Sequence, residues 1–178
     1  MDPAVDLDAD YTVELPIEAS PDAVFEALTE IPGLGAWWTS VTGSGVAGGE
    51  LRFTFDRPDQ PCVMQVIAAD PPSLVRWQSA GYDPLPVWTG TTVTFTIEPR
   101  GDAASTLLFR HEGLTPRLEC YSDCSSGWGH FLPSLRNLVE SGAGHPFGSP
   151  SDVQRRELRW GRRQDGAADR TAGVTATV

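Results

Sequence analysis

The sequence predicts an α+β domain. A curved antiparallel sheet of about six or seven strands follows two short helices, and one long C-terminal helix lies across it. Two patterns carry this reading. Between Tyr11 and His111, short stretches alternate apolar and polar residues and are separated by turns rich in Gly and Pro, the mark of half-buried strands joined to their neighbours. From Arg117 to Glu140 the period changes. Cys120, Cys124, Trp128, Phe131, Leu135 and Leu138 or Val139 step by three or four residues, which is one face of a helix. At roughly 1.5 Å per residue that helix can span a small domain.

The elements follow in order. Residues 1–9 form an acidic leader. Tyr11, Val13, Leu15 and Ile17 share one face of a first strand, with Pro16 suited to an edge. Ser20-Pro21-Asp22 opens a helix, Ser20 as N-cap and Pro21 at the first helical position. Ile31-Pro32-Gly33 is expected to break it, with a second short helix over Leu34–Trp38. Strands are then expected over Glu50–Asp56, Cys62–Ala69, Ser73–Ala80, Trp88–Pro99 and Ser105–His111. In the long helix Gly127 and Gly129 each cost about 1 kcal/mol relative to Ala, and Pro133 removes one backbone bond. Ser141-Gly-Ala-Gly144 ends it. The domain therefore runs over 10–145. Residues 146–178 form a largely flexible tail, with a short basic helix over 152–164 and disorder over 165–178.

Composition excludes several classes. The 178 residues are 40% hydrophobic, enough for one domain with a core. No apolar run approaches the roughly 18 residues of a membrane helix, and no basic, apolar secretory leader opens the chain; a cytoplasmic protein is expected. Formal charge is −11. Residues 1–145 carry 20 acidic and 7 basic side chains, whereas 146–178 carry 4 and 6. The acidic body repels phosphate backbones, so no nucleic acid is expected on the domain. Arg155, Arg156, Arg159, Arg162 and Arg163 are expected to be solvated or to lie against that body. Three cysteines do not make a disulfide framework.

Several motifs resemble one family. They are Ser20-Pro-Asp-Ala-Val-Phe-Glu-Ala-Leu-Thr29, Leu34-Gly-Ala-Trp-Trp38, Gly48-Gly-Glu-Leu-Arg-Phe53, Asp70-Pro-Pro-Ser-Leu-Val-Arg-Trp77, Gly90-Thr-Thr-Val-Thr-Phe95, Leu107-Leu-Phe-Arg-His-Glu-Gly-Leu114 and Gly127-Trp-Gly-His-Phe-Leu-Pro-Ser-Leu135. In this order they resemble the SRPBCC (START-like, helix-grip) superfamily, and within it the homologues of the activator of heat-shock-protein-90 ATPase. The resemblance covers about residues 10–145 and implies a cavity between sheet and long helix. It implies little about activity, because such proteins include lipid carriers, polyketide cyclases and co-chaperones.

The candidate cavity set is Trp38, Phe53, Trp77, Tyr82, Trp88, Phe95, Phe109, His111, Cys120, Cys124 and Trp128. Each aromatic residue suits a core as well as a cavity wall; Trp38, Tyr82, Trp88 and Trp128 are the favoured liners. His111 shares a strand face with Leu107 and Phe109 and should point toward the helix, as a structural residue or a proton-transfer group. No metal is expected, since Cys120 and Cys124 lack further ligands in any known spacing. No nucleophile, P-loop or dinucleotide motif is present, and no cofactor is expected. The reading is a protein that binds a hydrophobic or aromatic small molecule without catalysis. The alternatives are a cyclase or aromatase using His111, Tyr82 or Glu119, and a co-chaperone or stress-response module. A homodimer is left open. Within the long helix, Phe131–Val139 should seal the core and Glu119–Trp128 should wall the cavity.

Overall fold

A computed structural model describes residues 6–172; the first five residues of the expected leader and the last six of the expected tail lie outside the described residues. Seven strands form one antiparallel sheet: β1 (Tyr11–Ile17), β2 (Val41–Gly43), β3 (Glu50–Phe53), β4 (Cys62–Asp70), β5 (Leu74–Gly81), β6 (Thr92–Pro99) and β7 (Ser105–Glu112). Their spatial order is β1-β7-β6-β5-β4-β3-β2. From β2 to β7 every strand pairs with its successor, as short turns dictate. β1 closes the far edge on β7, with Tyr11 opposite His111 and Ile17 opposite Ser105. Two helices, α1 (Pro21–Thr29) and α2 (Ile31–Trp37), connect β1 to β2; α3 (Tyr121–Ser141) and α4 (Pro150–Ala172) follow the sheet.

Several elements differ from expectation, β3 among them, which ends at Phe53 short of the expected Asp56. Ile31-Pro32 opens α2 instead of merely ending α1, because a proline in the first helical turn forfeits no intrahelical bond. Trp88 lies outside β6, in a 3-10 turn over Pro86–Trp88. Gly90, at φ +84°, bends the chain there, and backbone bonds from Gly90 to Ser79 and from Ser79 to Thr91 rejoin the sheet behind it. β2 is too short to leave a periodic signal.

Strand alternation sets the core. Phe53, Met64, Val75, Trp77, Val93, Phe95, Leu107 and Phe109 are buried on one face, while Arg76, Thr94 and Glu112 meet one another on the other. The helices cover the buried face with Val24, Leu28, Leu34, Trp37, Trp128, Leu132 and Leu135. Ser134 fastens the second half of α3. Its hydroxyl donates to the Trp37 carbonyl at 2.8 Å and accepts from the His145 amide at 2.6 Å. Gly142, left-handed at φ 83°, ends α3 and lets the chain fold back.

α4 is longer than the 152–164 helix expected from sequence. It docks antiparallel on the first half of α3 through polar groups: Arg155 to Ser126, Arg159 to Ser122 and Asp123, and Arg163 to Asp123. Asp152, fully buried, anchors its start. One carboxylate oxygen accepts from the Gly148 amide and Arg156 Nε, both at 3.0 Å, and the other from Arg155 at 2.7 Å. Burial pushes this carboxyl up, yet those donors outweigh it and hold it below its ordinary value. Replacing Asp152 by Asn should weaken these bonds by about 1–3 kcal/mol. The expected outcome is local: hydrogen-exchange protection over 150–164 falls about tenfold or more while the strand amides keep theirs.

Candidate functional site

Where the first half of α3 stands off the sheet, an apolar pocket of about 160 Å³ opens, lined by Trp38, Phe55, Tyr82, Leu85, Trp88, Asp123, Cys124, Gly127, Trp128 and Phe131. Each wall has a local cause. Trp38 follows the end of α2; Trp88 is thrown inward by the 3-10 turn; Cys124, Trp128 and Phe131 are the inward stripe of α3. Gly127, on the same side, contributes no side chain and so leaves room.

The indole rings hold one another. Trp88 and Trp128 stack at 6.2 Å between centroids with their planes 8° apart, and Trp38 tilts onto Trp128 at 5.1 Å. Behind them the aromatic packing continues without a gap: Trp38 stacks on Trp77 at 5.9 Å, Trp77 meets Phe95 edge-on at 4.8 Å, and Phe109 lies 4.6 Å from Trp128. The candidate set therefore divides. Trp38, Tyr82, Trp88, Cys124 and Trp128 reach the pocket. Phe53, Trp77, Phe95, Phe109 and His111 form its packed floor, and Cys120 sits half-buried just before α3. Phe55, Leu85, Gly127, Phe131 and Asp123 complete the lining. Phe55 continues the Leu51–Phe53 alternation of the strand expected over Glu50–Asp56, although β3 ends at Phe53; Leu85 lies in a loop, where no periodicity marks a direction; Phe131 reads equally as core.

His111 is buried at the junction of three elements. Trp128 Nε1 donates to its Nδ1 at 3.1 Å. That fixes the neutral tautomer with the proton on Nε2, which donates to Thr91 Oγ1 at 2.9 Å; the Thr91 hydroxyl in turn donates to the Trp88 carbonyl at 2.6 Å. Burial lowers the imidazole pKa to about 4, against a small opposing pull from Asp10. Both ring nitrogens are engaged and the ring is neutral near pH 7, so His111 braces the site.

The remaining proton handlers are equally unsuited. Burial pushes the Tyr82 phenol and the Cys124 thiol up to about 12 each, and Trp88 Nε1 donates to Cys124 Sγ at 3.4 Å. Glu119 belongs to a polar depression beside α4 with Ser122, Arg159 and Arg162. His111, Tyr82 and Glu119 do not converge on one point, which removes the geometry that a cyclase using them requires. Asp123 is the one charged group in the lining. Burial raises its carboxyl, but hydrogen bonds from Arg159 and Arg163 hold it below its ordinary value. Among the described residues, no group of three or more His, Cys, Asp or Glu is placed to hold a metal ion, and no helix is long and apolar enough to cross a membrane.

Residues 18–140 match the model of the family described as activator of Hsp90 ATPase homolog 1-like protein. The solution structure of the Aha1 dimer from Colwellia psychrerythraea is similar over 76% of this chain and 99% of that one, at 31% identity and a TM-score of 0.67. CalU16 from Micromonospora echinospora is similar over 84% and 83% of the two chains, at 17% identity and a TM-score of 0.63. DynU16, from the dynemicin biosynthetic locus, is similar over 76% and 48%, at 22% identity and a TM-score of 0.61. The last two share the fold alone. No functionally curated protein matches the sequence.

The His111 environment sets a pH dependence. Its pKa is lower folded than unfolded, so the stability contributed by the neutral ring is complete above about 6.5. It falls as pH drops toward 4, where the unfolded chain binds a proton and the folded one does not. The loss is about 3 kcal/mol across that window. Thermal unfolding measured from pH 7 to 4 should show this slope, and His111→Gln, which keeps a donor and an acceptor without titrating there, should remove it.

Proposed function

The chain belongs to the family of activator of Hsp90 ATPase homolog 1-like proteins, and within that family we propose that it binds a small hydrophobic or aromatic molecule without catalysis. The observation that carries this is the pocket itself: three indoles, a neutral phenol and two phenyl rings around an unfilled volume of about 160 Å³. That volume is close to cavities that accept a single benzene ring and smaller than the roughly 300–1,000 Å³ of drug-sized sites. The proposed ligand is thus one planar ring with small substituents, held by stacking and burial.

The family description supports a co-chaperone role only by name. Leu7, Val46, Ile67 and Val87 are the exposed large apolar side chains before α4 among the described residues, and none of them lines the pocket. A homodimer belongs to the proposal, since the Colwellia protein is a dimer. So does a cytoplasmic location, which suits three free cysteines.

A Cβ placed on Gly127 meets no atom within 4 Å. Gly127→Leu should therefore fill the pocket from α3 and also gain about 1 kcal/mol of helix propensity. Titration with toluene, followed by tryptophan fluorescence, should show saturable binding to the wild type. In the variant it should be weaker by about tenfold or more, with an unfolding temperature no lower. Equal toluene binding by the two proteins would refute the pocket as the site.

A further inference from the structure

We propose that the ligand is an aromatic anion, its ring in the indole-lined pocket and its carboxylate or equivalent acid group at the rim, taken by Arg155 of α4. The proposal rests on the binding role argued above and adds the chemical class of the ligand. Three observations lead to it.

The rim is the place where this acidic chain gathers positive charge. Two depressions share Asp123 with the pocket, and between them they carry Arg155, Arg156, Arg159, Arg162 and Arg163 against two carboxylates, Asp123 and Glu119. With Asp152 and Asp56, each paired with Arg156, and Glu157, which shares a depression with Arg162, the five arginines meet five carboxylates. The whole chain carries −11, so even this balanced patch is positive against its surroundings.

The second observation is the placement of Arg155. Its guanidinium carbon lies 5.7 Å from the centroid of the Phe131 ring, which is part of the pocket wall. Its Nη atoms are engaged by Asp152 and Ser126. Its Nε is buried and donates to nothing among the described residues. Nε is enclosed, but the side chain is 21% exposed and lines the depression that meets the pocket at Asp123, so an anionic acceptor at the mouth would reach the Nη edge and add a charge-assisted bond there.

The third is selectivity by the pocket interior. With Tyr82, Cys124 and His111 all neutral, the interior offers no counter-charge of its own. The acid group of a bound ligand must therefore stay at the rim, and the apolar ring enters. A cationic ligand would find only Asp123, already held by Arg159 and Arg163.

The test compares three probes of similar shape, benzoate, benzyl alcohol and benzylammonium, by saturation-transfer NMR at pH 7 and low salt on the full chain. Benzoate should bind about tenfold more tightly than the alcohol and the ammonium most weakly, the advantage shrinking in high salt. Arg155→Met should bring benzoate down to the level of the alcohol. Arg136→Gln removes the same charge outside the pocket and both depressions and should leave the preference standing. Equal affinities, an ammonium preference, or equal losses in the two variants would overturn the proposal while leaving the pocket intact as a site. No binding by any probe would overturn both readings. If Arg155→Met binds nothing, Arg155→Lys decides: it keeps the charge without the planar guanidinium fork and should bind the alcohol normally with a reduced benzoate advantage, and an undiminished advantage would overturn the role of the fork.

Discussion

One buried polar chain holds the architecture to its working shape. Trp128 on α3, His111 on β7, Thr91 before β6 and the carbonyl of Trp88 in the 3-10 turn are joined donor to acceptor without a break. The Trp128–His111 link is buried and the two at Thr91 are partly so, so loss of the first leaves a dry donor or acceptor behind. The chain therefore sets the distance between long helix, sheet and turn. That distance in turn sets how Trp88 stacks on Trp128, and hence the wall against which the pocket opens. The same constraint answers a chemical question. A histidine whose two nitrogens are committed to holding walls apart has none left for a substrate.

Much of this was legible in the residues, and the limits are physical. Period-two alternation aimed His111, Phe109 and Leu107 at the helix, and the three-four stepping of Cys124, Trp128 and Phe131 aimed that helix back at them. Local chemistry also named the N-cap at Ser20, whose hydroxyl accepts from Ala23. Long-range closure was less visible. Gly90 stands two residues after Trp88, but neither its positive φ nor the pairing with Ser79 that turns Trp88 out of the strand is written in the local pattern. Nor could periodicity separate floor from wall: Trp77 and Trp88 are both large and apolar, and only the packed distances show that the first is enclosed and the second faces free volume.

The two halves of α3 divide labour along one stripe. Phe131, Leu132 and Leu135 are bulky and Ser134 bolts the helix to α2 and to the returning chain. From Cys124 to Gly127 they are small or absent, which leaves the gap. Phe147 caps the arrangement from outside: its amide donates to the Trp38 carbonyl at 2.7 Å, its ring meets Phe55 edge-on at 5.2 Å, and the Arg156 guanidinium lies over it at 4.4 Å. The polypeptide that leaves α3 thus crosses beside the pocket before α4 begins.

α4 itself holds on through arginines, with Val153, Leu158 and Trp160 left exposed. A helix attached in this way is, in physical terms, a counterion on a leash. The domain's negative charge would otherwise draw its neutralising cations from solution. Here part of that ion atmosphere is covalent, and the short connection from Gly142 to Ser149 keeps its effective concentration far above that of any free cation of equal affinity. Its seat is still an ionic one, so occupancy is shared with every other ion present. The charge pattern of the domain's neighbourhood in the cell thereby becomes one of the terms that decide how the mouth of the pocket is dressed.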